Sequence, residues 1–185
     1  EVVCLNAADG KIIWSVNGES KFGITTNVWS VSESPLIFDN KVIFTPCGNQ
    51  TTMVALNAET GETVWTTSSL NDTCSHVSPL LITHNGVRQI IGFSQEYVYG
   101  VNPETGKMEW KFKDWDFVAK RGMDGICINT PLYHSGKLFI SNAYEMRSHM
   151  LKLNETATDV KRLWRKADFS VHTDGLVLVH GICCG

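Results

Sequence analysis

The sequence predicts an all-β fold, a β-propeller of four-stranded antiparallel blades. Three observations carry this. A turn motif closed by tryptophan recurs along the chain, and a Ser/Thr-Pro hairpin signature is interleaved with it at the same period. No segment offers a convincing helical pattern; the stretch from Trp115 to Arg121 has room for one or two turns at most.

Each blade reads as strands A to D. Strand A is expected to open at Ser34-Pro35, Ser78-Pro79 and Thr130-Pro131. Proline is tolerated there because the first residue of a strand need not donate to the ladder. Tight turns follow at Asp39-Asn40, Asn85-Gly86 and Ser135-Gly136, residue types that accept the positive φ of short hairpins. Strand B is the apolar run after each turn: Val42-Ile43-Phe44, Gln89-Ile90-Ile91 and Leu138-Phe139-Ile140. A further copy begins at Asp174-Gly175-Leu176-Val177.

Strand C ends in Leu-Asn or Val-Asn, and strand D ends in Trp. The turns between them align as residues 4–14, 55–65 and 100–110, with a looser fourth from Leu151 to Trp164 that carries a two-residue insertion. Asn6, Asn57 and Asn102 are placed to cap the turn through the side-chain carbonyl. Gly10, Gly61 and Gly106 supply a positive φ. The tryptophans, 51, 45 and 54 residues apart, each present a flat apolar face that is expected to cover the neighbouring blade's turn. Complete blades are thus expected at about 32–65, 76–110 and 128–164, with half-blades at 2–14 and 173–183, in a single domain. The two halves either join into one blade of a closed four-bladed ring, or the chain is a piece of a larger ring. The start at Glu1, without Met and already strand-like, reads as processed or truncated. A partial ring would expose sheet edges and favour self-association.

The formal charge of −3 and the lack of a basic block argue against nucleic-acid binding by phosphate neutralisation. No apolar run has the length of a membrane-spanning segment. The six cysteines form no CxxC or zinc-type spacing, so they are either buried thiols or members of one or two disulfides. Three Asn-x-Thr sequons, at Asn49, Asn71 and Asn154, matter only in a eukaryotic secretory context.

The C–D turn resembles the tryptophan docking motif of the pyrroloquinoline-quinone (PQQ) dehydrogenase-like propellers, Ala-x-Asn/Asp-x-x-Thr-Gly-x-x-x-Trp. Residues 55–65 match it fully. Residues 100–110 match except at Gly100, and residues 4–14 carry Cys4 and Asp9 where Ala and Thr are usual. The resemblance implies rings of about seven or eight blades, hence a fragment, and a periplasmic or extracellular, cell-envelope location. It implies two functional readings. One is a cofactor-free binding scaffold, as in the lipoprotein of the outer-membrane protein assembly machinery. The other is part of a PQQ- and calcium-dependent alcohol dehydrogenase acting on a small alcohol or sugar. The vicinal pair Cys183-Cys184 is a partial echo of the disulfide that stacks on PQQ in some quinoproteins, in a local sequence that does not match theirs.

A ligand or protein partner is expected at the mouth formed by the D–A connections and the starts of strand A. Aligned on strand A, Ser32, His76, Ile128 and His172 make one layer, and Glu33, Val77, Asn129 and Thr173 the next. His76 and His172 are either satisfied histidines at strand starts or a pair able to hold a metal or shuttle protons. Asn129 and Asp174 are the oxygen ligands a calcium ion would want, or simple hydrogen-bonding groups. In the long connector 111–129, Trp115 is the candidate stacking platform, and Arg121 and Asp124 are the candidate polar contacts to a cofactor or ligand. The connector 17–31 brings Phe22 and Trp29 to the same mouth.

Overall fold

A computed structural model describes residues 1–24, 30–113, 127–141, 148–169, 171 and 175–184. Three four-stranded antiparallel sheets follow one another along the chain, flanked by two two-stranded sheets. The first half-blade is β1 (Val2–Leu5) and β2 (Ile12–Val16), followed by a short helix α1 (Gly18–Phe22). The first complete blade is β3 (Leu36–Phe38), β4 (Lys41–Phe44), β5 (Val54–Asn57) and β6 (Thr63–Thr66). The second is β7 (Leu80–His84), β8 (Val87–Phe93), β9 (Tyr97–Val101) and β10 (Met108–Lys113). The third is β11 (Leu132–His134), β12 (Lys137–Ser141), β13 (Ser148–Leu153) and β14 (Val160–Lys166). The last half-blade is β15 (Val177–Val179) and β16 (Ile182–Cys184). The ring is not closed: β1 and β16 pair only with their own hairpin partners.

The predicted turns form for the predicted reasons. Asp39-Asn40, Asn85-Gly86 and Ser135-Gly136 all take positive φ at both positions, the twist that matches a two-residue hairpin; His180-Gly181, not anticipated from the sequence, does the same in the last half-blade. Strand A begins just after each proline, at Leu36, Leu80 and Leu132, rather than at the Ser/Thr-Pro pair. Asn57 Oδ1 accepts from the N–H groups of Glu59 and Thr60, and Asn102 repeats this with Glu104 and Thr105. Gly10, Gly61 and Gly106 all lie at φ 72°.

Two further features differ from the sequence reading. A helix exists, in the 17–31 connector: Asn17 caps it by accepting from the Ser20 N–H at 3.0 Å, and Gly23 ends it in the left-handed region. The fourth C–D turn, from Asn154 to Asp159, has the ordinary length, closed by the Asn154 N–H on the Asp159 carbonyl as Asn57 closes on Glu62. Its two extra residues lengthen both strands instead, so that Trp164 pairs with Met150, further from the turn than Trp65 is in its pairing with Ala55.

The core lies between blades. Val16, Phe22, Val42, Phe44, Val54 and Leu56 fill the space between the first half-blade and the first complete blade. Ile43, Met53, Ala55, Trp65, Ile90, Tyr99 and Val101 fill the next gap, and a cluster around Ile91, Phe93, Trp110, Leu138 and Leu151 the third. Neighbouring residues of β4 point to opposite gaps, as the two-residue period of a strand requires.

Candidate binding site at the propeller mouth

In every C–D hairpin the register slips by one residue immediately before the tryptophan, leaving Ile13, Val64, Glu109 and Leu163 as bulge residues. A bulge re-aims the next side chain, and in the first two hairpins it throws the indole across to the following blade. Trp14 Nε1–H donates to the Ala58 carbonyl at 2.9 Å, and Trp65 Nε1–H to the Pro103 carbonyl at 3.0 Å. The ring of each covers the next turn's glycine closely: a β-carbon on Gly61 would lie 2.8 Å from Trp14, and one on Gly106 2.7 Å from Trp65. Trp110 reaches its neighbour by a relay. Its Nε1–H donates to Gln89 Oε1 at 2.7 Å, and Gln89 Nε2–H donates onward to the Ala157 carbonyl at 2.8 Å. Gly100, the departure from the docking motif, explains this placement, since a β-carbon there would sit 2.2 Å from the Trp110 nitrogen.

Because strands alternate in direction, the A–B and C–D turns lie at one end of each blade, and the B–C turns and D–A connectors at the other, the mouth. The connector 67–79 is stitched to the B–C turns on both sides of it. Leu70 N–H donates to Thr52 Oγ1 at 2.8 Å, and Ser69 Oγ–H to the Gly48 carbonyl at 2.7 Å. Toward the next blade, Gln95 N–H donates to the Thr73 carbonyl, and Glu96 N–H to Asp72 Oδ2. His76 is half-buried, with Nε2 3.0 Å from the Ser30 carbonyl, so its ring spans two connectors. Asn129 is buried and spends both amide protons, on the carbonyls of Ser141 (3.2 Å) and Val171 (2.6 Å). These contacts make His76 and Asn129 ties between connectors. Trp115, Arg121, Asp124, His172 and Asp174 lie outside the described residues.

One group passed over as a site residue stands out. Glu33, half-buried, accepts from both the N–H and the hydroxyl of buried Thr45. Burial pushes its carboxyl up to about 7, against the two hydrogen bonds that favour the charged form. It borders a cleft of about 530 Å³ that Val2, Asn17, Ile24, Ser30 and Phe44 also line. The one sequence cue is that Glu33 occupies the layer that holds apolar Val77 in the next blade, a difference that by itself names no chemistry.

A second, smaller cleft of about 290 Å³ is lined by Cys47, Gly48, Asn49, Asn71, Asp72 and Thr73. No disulfide is formed by any of the cysteines. Contact with the Cys74 thiol and burial both push the Cys47 thiol up, and burial pushes Cys127 up to about 12. Among the described residues no three or more His, Cys, Asp or Glu side chains converge on a point where a metal ion would be held. Calcium takes six to eight oxygen ligands. Of the two oxygen ligands expected for calcium, Asn129 spends its amide protons on backbone carbonyls, and Asp174 lies outside the described residues.

The family described as "Outer membrane protein assembly factor BamB" matches residues 1–183. The crystal structure of BamB from Moraxella catarrhalis superposes with a TM-score of 0.53 at 19% identity, covering 92% of this chain and 45% of that one. A europium-containing methanol dehydrogenase gives a TM-score of 0.49 at 15% identity, over 74% of this chain and 24% of its own. No curated protein matches the sequence. The chain therefore spans less than half the length of BamB, and with blades, docking indoles and a family match over nearly every residue, it belongs to the BamB family of PQQ-like propellers.

Proposed function

We propose that this chain is part of a cell-envelope propeller that serves as a binding scaffold for another protein, engaged at the mouth of the ring. The observation that carries the reading is how the repeat's signature groups are used. Trp14 and Trp65 are spent in blade docking, and Asn129 and His76 in tying connectors together. What is left for a ligand is the rim of connectors at the mouth, where loops held by a sheet scaffold commonly recognise a partner. Trp115, Arg121 and Asp124 are assigned as partner contacts on the 111–129 connector, the mixture of aromatic and charged groups common at binding hot spots.

Among the described residues no helix is long and apolar enough to cross a membrane. A net charge of −3 leaves nucleic acid a poor partner.

The rival outcome is a quinoprotein dehydrogenase. Calorimetric titration of PQQ with calcium into the full-length protein separates the two. The scaffold reading expects no saturable heat, whereas a single site of micromolar or tighter affinity would sink it. Arg121→Ala is expected to leave the melting midpoint within about 1 °C, as a side chain kept for a partner rather than for packing should, while weakening capture of the partner.

A further inference from the structure

We propose that Cys47 and Cys74 close an intramolecular disulfide, which ties the B–C turn of the first complete blade to the connector leading into the second. Both side chains are buried, at 2% and 0% exposure, and the two thiols are in hydrogen-bonding contact. Cys74 Sγ lies 2.9 Å from the Pro46 carbonyl and 3.7 Å from that of Thr45, so it sits under the residues that deliver Cys47. The backbone on both sides is already held. Cys47 N–H donates to the Thr52 carbonyl, and Cys74 bridges to Ser94 in the next blade.

Cys47 supplies a second, independent observation. Its φ is 46°, a left-handed backbone that a β-carbon makes costly and that Gly or Asn ordinarily occupies. A cysteine held there, facing a second cysteine, has a structural return only if the two are joined. The small cleft lined by Cys47, Asn71, Asp72 and Thr73 gives an oxidant a way in.

In the reaction two S–H bonds break and one Sγ–Sγ bond forms. The two electrons and two protons pass to an oxidant of the disulfide class, which leaves as two thiols. The product spans the rim of the mouth, where it restrains the 67–79 connector and shortens the loops available to the unfolded chain. That the bond persists in the cell rests on the envelope location proposed above; that it can form does not.

The test is therefore made on the purified, folded chain in a glutathione redox buffer, with localisation read separately by cell fractionation. Digestion without reduction is expected to release a linked peptide pair containing residues 47 and 74. The melting midpoint should rise by about 5–10 °C on oxidation and fall back with reductant. Cys74→Ser should abolish both effects, as should Cys47→Gly, which suits the left-handed backbone and guards against misfolding of a Cys47→Ser protein. Recovery of both cysteines as alkylated thiols after oxidation, or an equal melting shift in the Cys74→Ser protein, would overturn the proposal.

Discussion

Glu33 shows how one residue can escape a reading based on repeats. At its layer position the sequence offers Val77, Asn129 and Thr173, so variation alone gives no chemistry. Its environment supplies it: Thr45 donates twice to a carboxyl that burial holds near neutral. The folded protein keeps this proton up to about 7, whereas the unfolded chain releases it near 4.5. Between those values the folded state binds more protons, so stability falls as pH rises through the window and levels off above it. The expected loss is about 3 kcal/mol across the window. Urea unfolding at pH 4.5 and pH 8 measures it, and Glu33→Gln should flatten that part of the profile. An unchanged slope in the variant would assign the pH dependence elsewhere.

At the scale of the hairpin, the same six-residue turn does two jobs that mutation can separate. Gly10, Gly61 and Gly106 share φ 72°, but only the last two lie beneath an indole from the preceding hairpin; a β-carbon on Gly10 would meet nothing within 4 Å. Gly10→Ala therefore costs only backbone strain, about 1 kcal/mol. Gly106→Ala adds a 2.7 Å clash with the Trp65 ring and is expected to cost about 2–3 kcal/mol more. Equal costs by thermal or denaturant unfolding would show that the indole yields freely.

The Asn, Gly and Trp positions of this hairpin were plain in the sequence, because turn chemistry constrains residue type. The bulge before each tryptophan was not, since Ile13, Val64, Glu109 and Leu163 share no residue type. Bulges are set by backbone register, which pattern alone leaves free. The α1 cap at Asn17 and Gly23 was legible in principle, but five residues are too few to give a helical period.

Across the molecule, stability resides in the gaps between blades, and the two ends of the array are not equivalent to its middle. Period and strand signatures made the blades legible because every copy repeats the same local physics. Assembly of the connectors was less so: the D–A segments diverge in length and composition, and the contacts that fix them, such as Asn129 with Ser141 and Val171, join residues far apart in the chain. Repeat arrays behave as sums of unit and neighbour-interface terms, so the value of a docking indole should depend on whether a neighbour is present. Trp65 is 8% exposed, sealed between two complete blades, while Trp164 is 39% exposed, with its ring 5.9 Å from that of Phe139 in its own sheet. Trp65→Ala in the 185-residue chain is expected to cost about 3–5 kcal/mol, the loss for truncating a buried aromatic. Trp164→Ala should cost about 1 kcal/mol, because much of its surface already faces water. Completing the last half-blade with strands C and D after β16 should raise the second cost toward the first, because those strands bring the turn that an indole normally covers. Melting midpoints of the two variants, in the 185-residue chain and in the extended one, make the comparison. Equal costs in the short chain would mean that the indoles stabilise their own hairpins rather than the joints between blades.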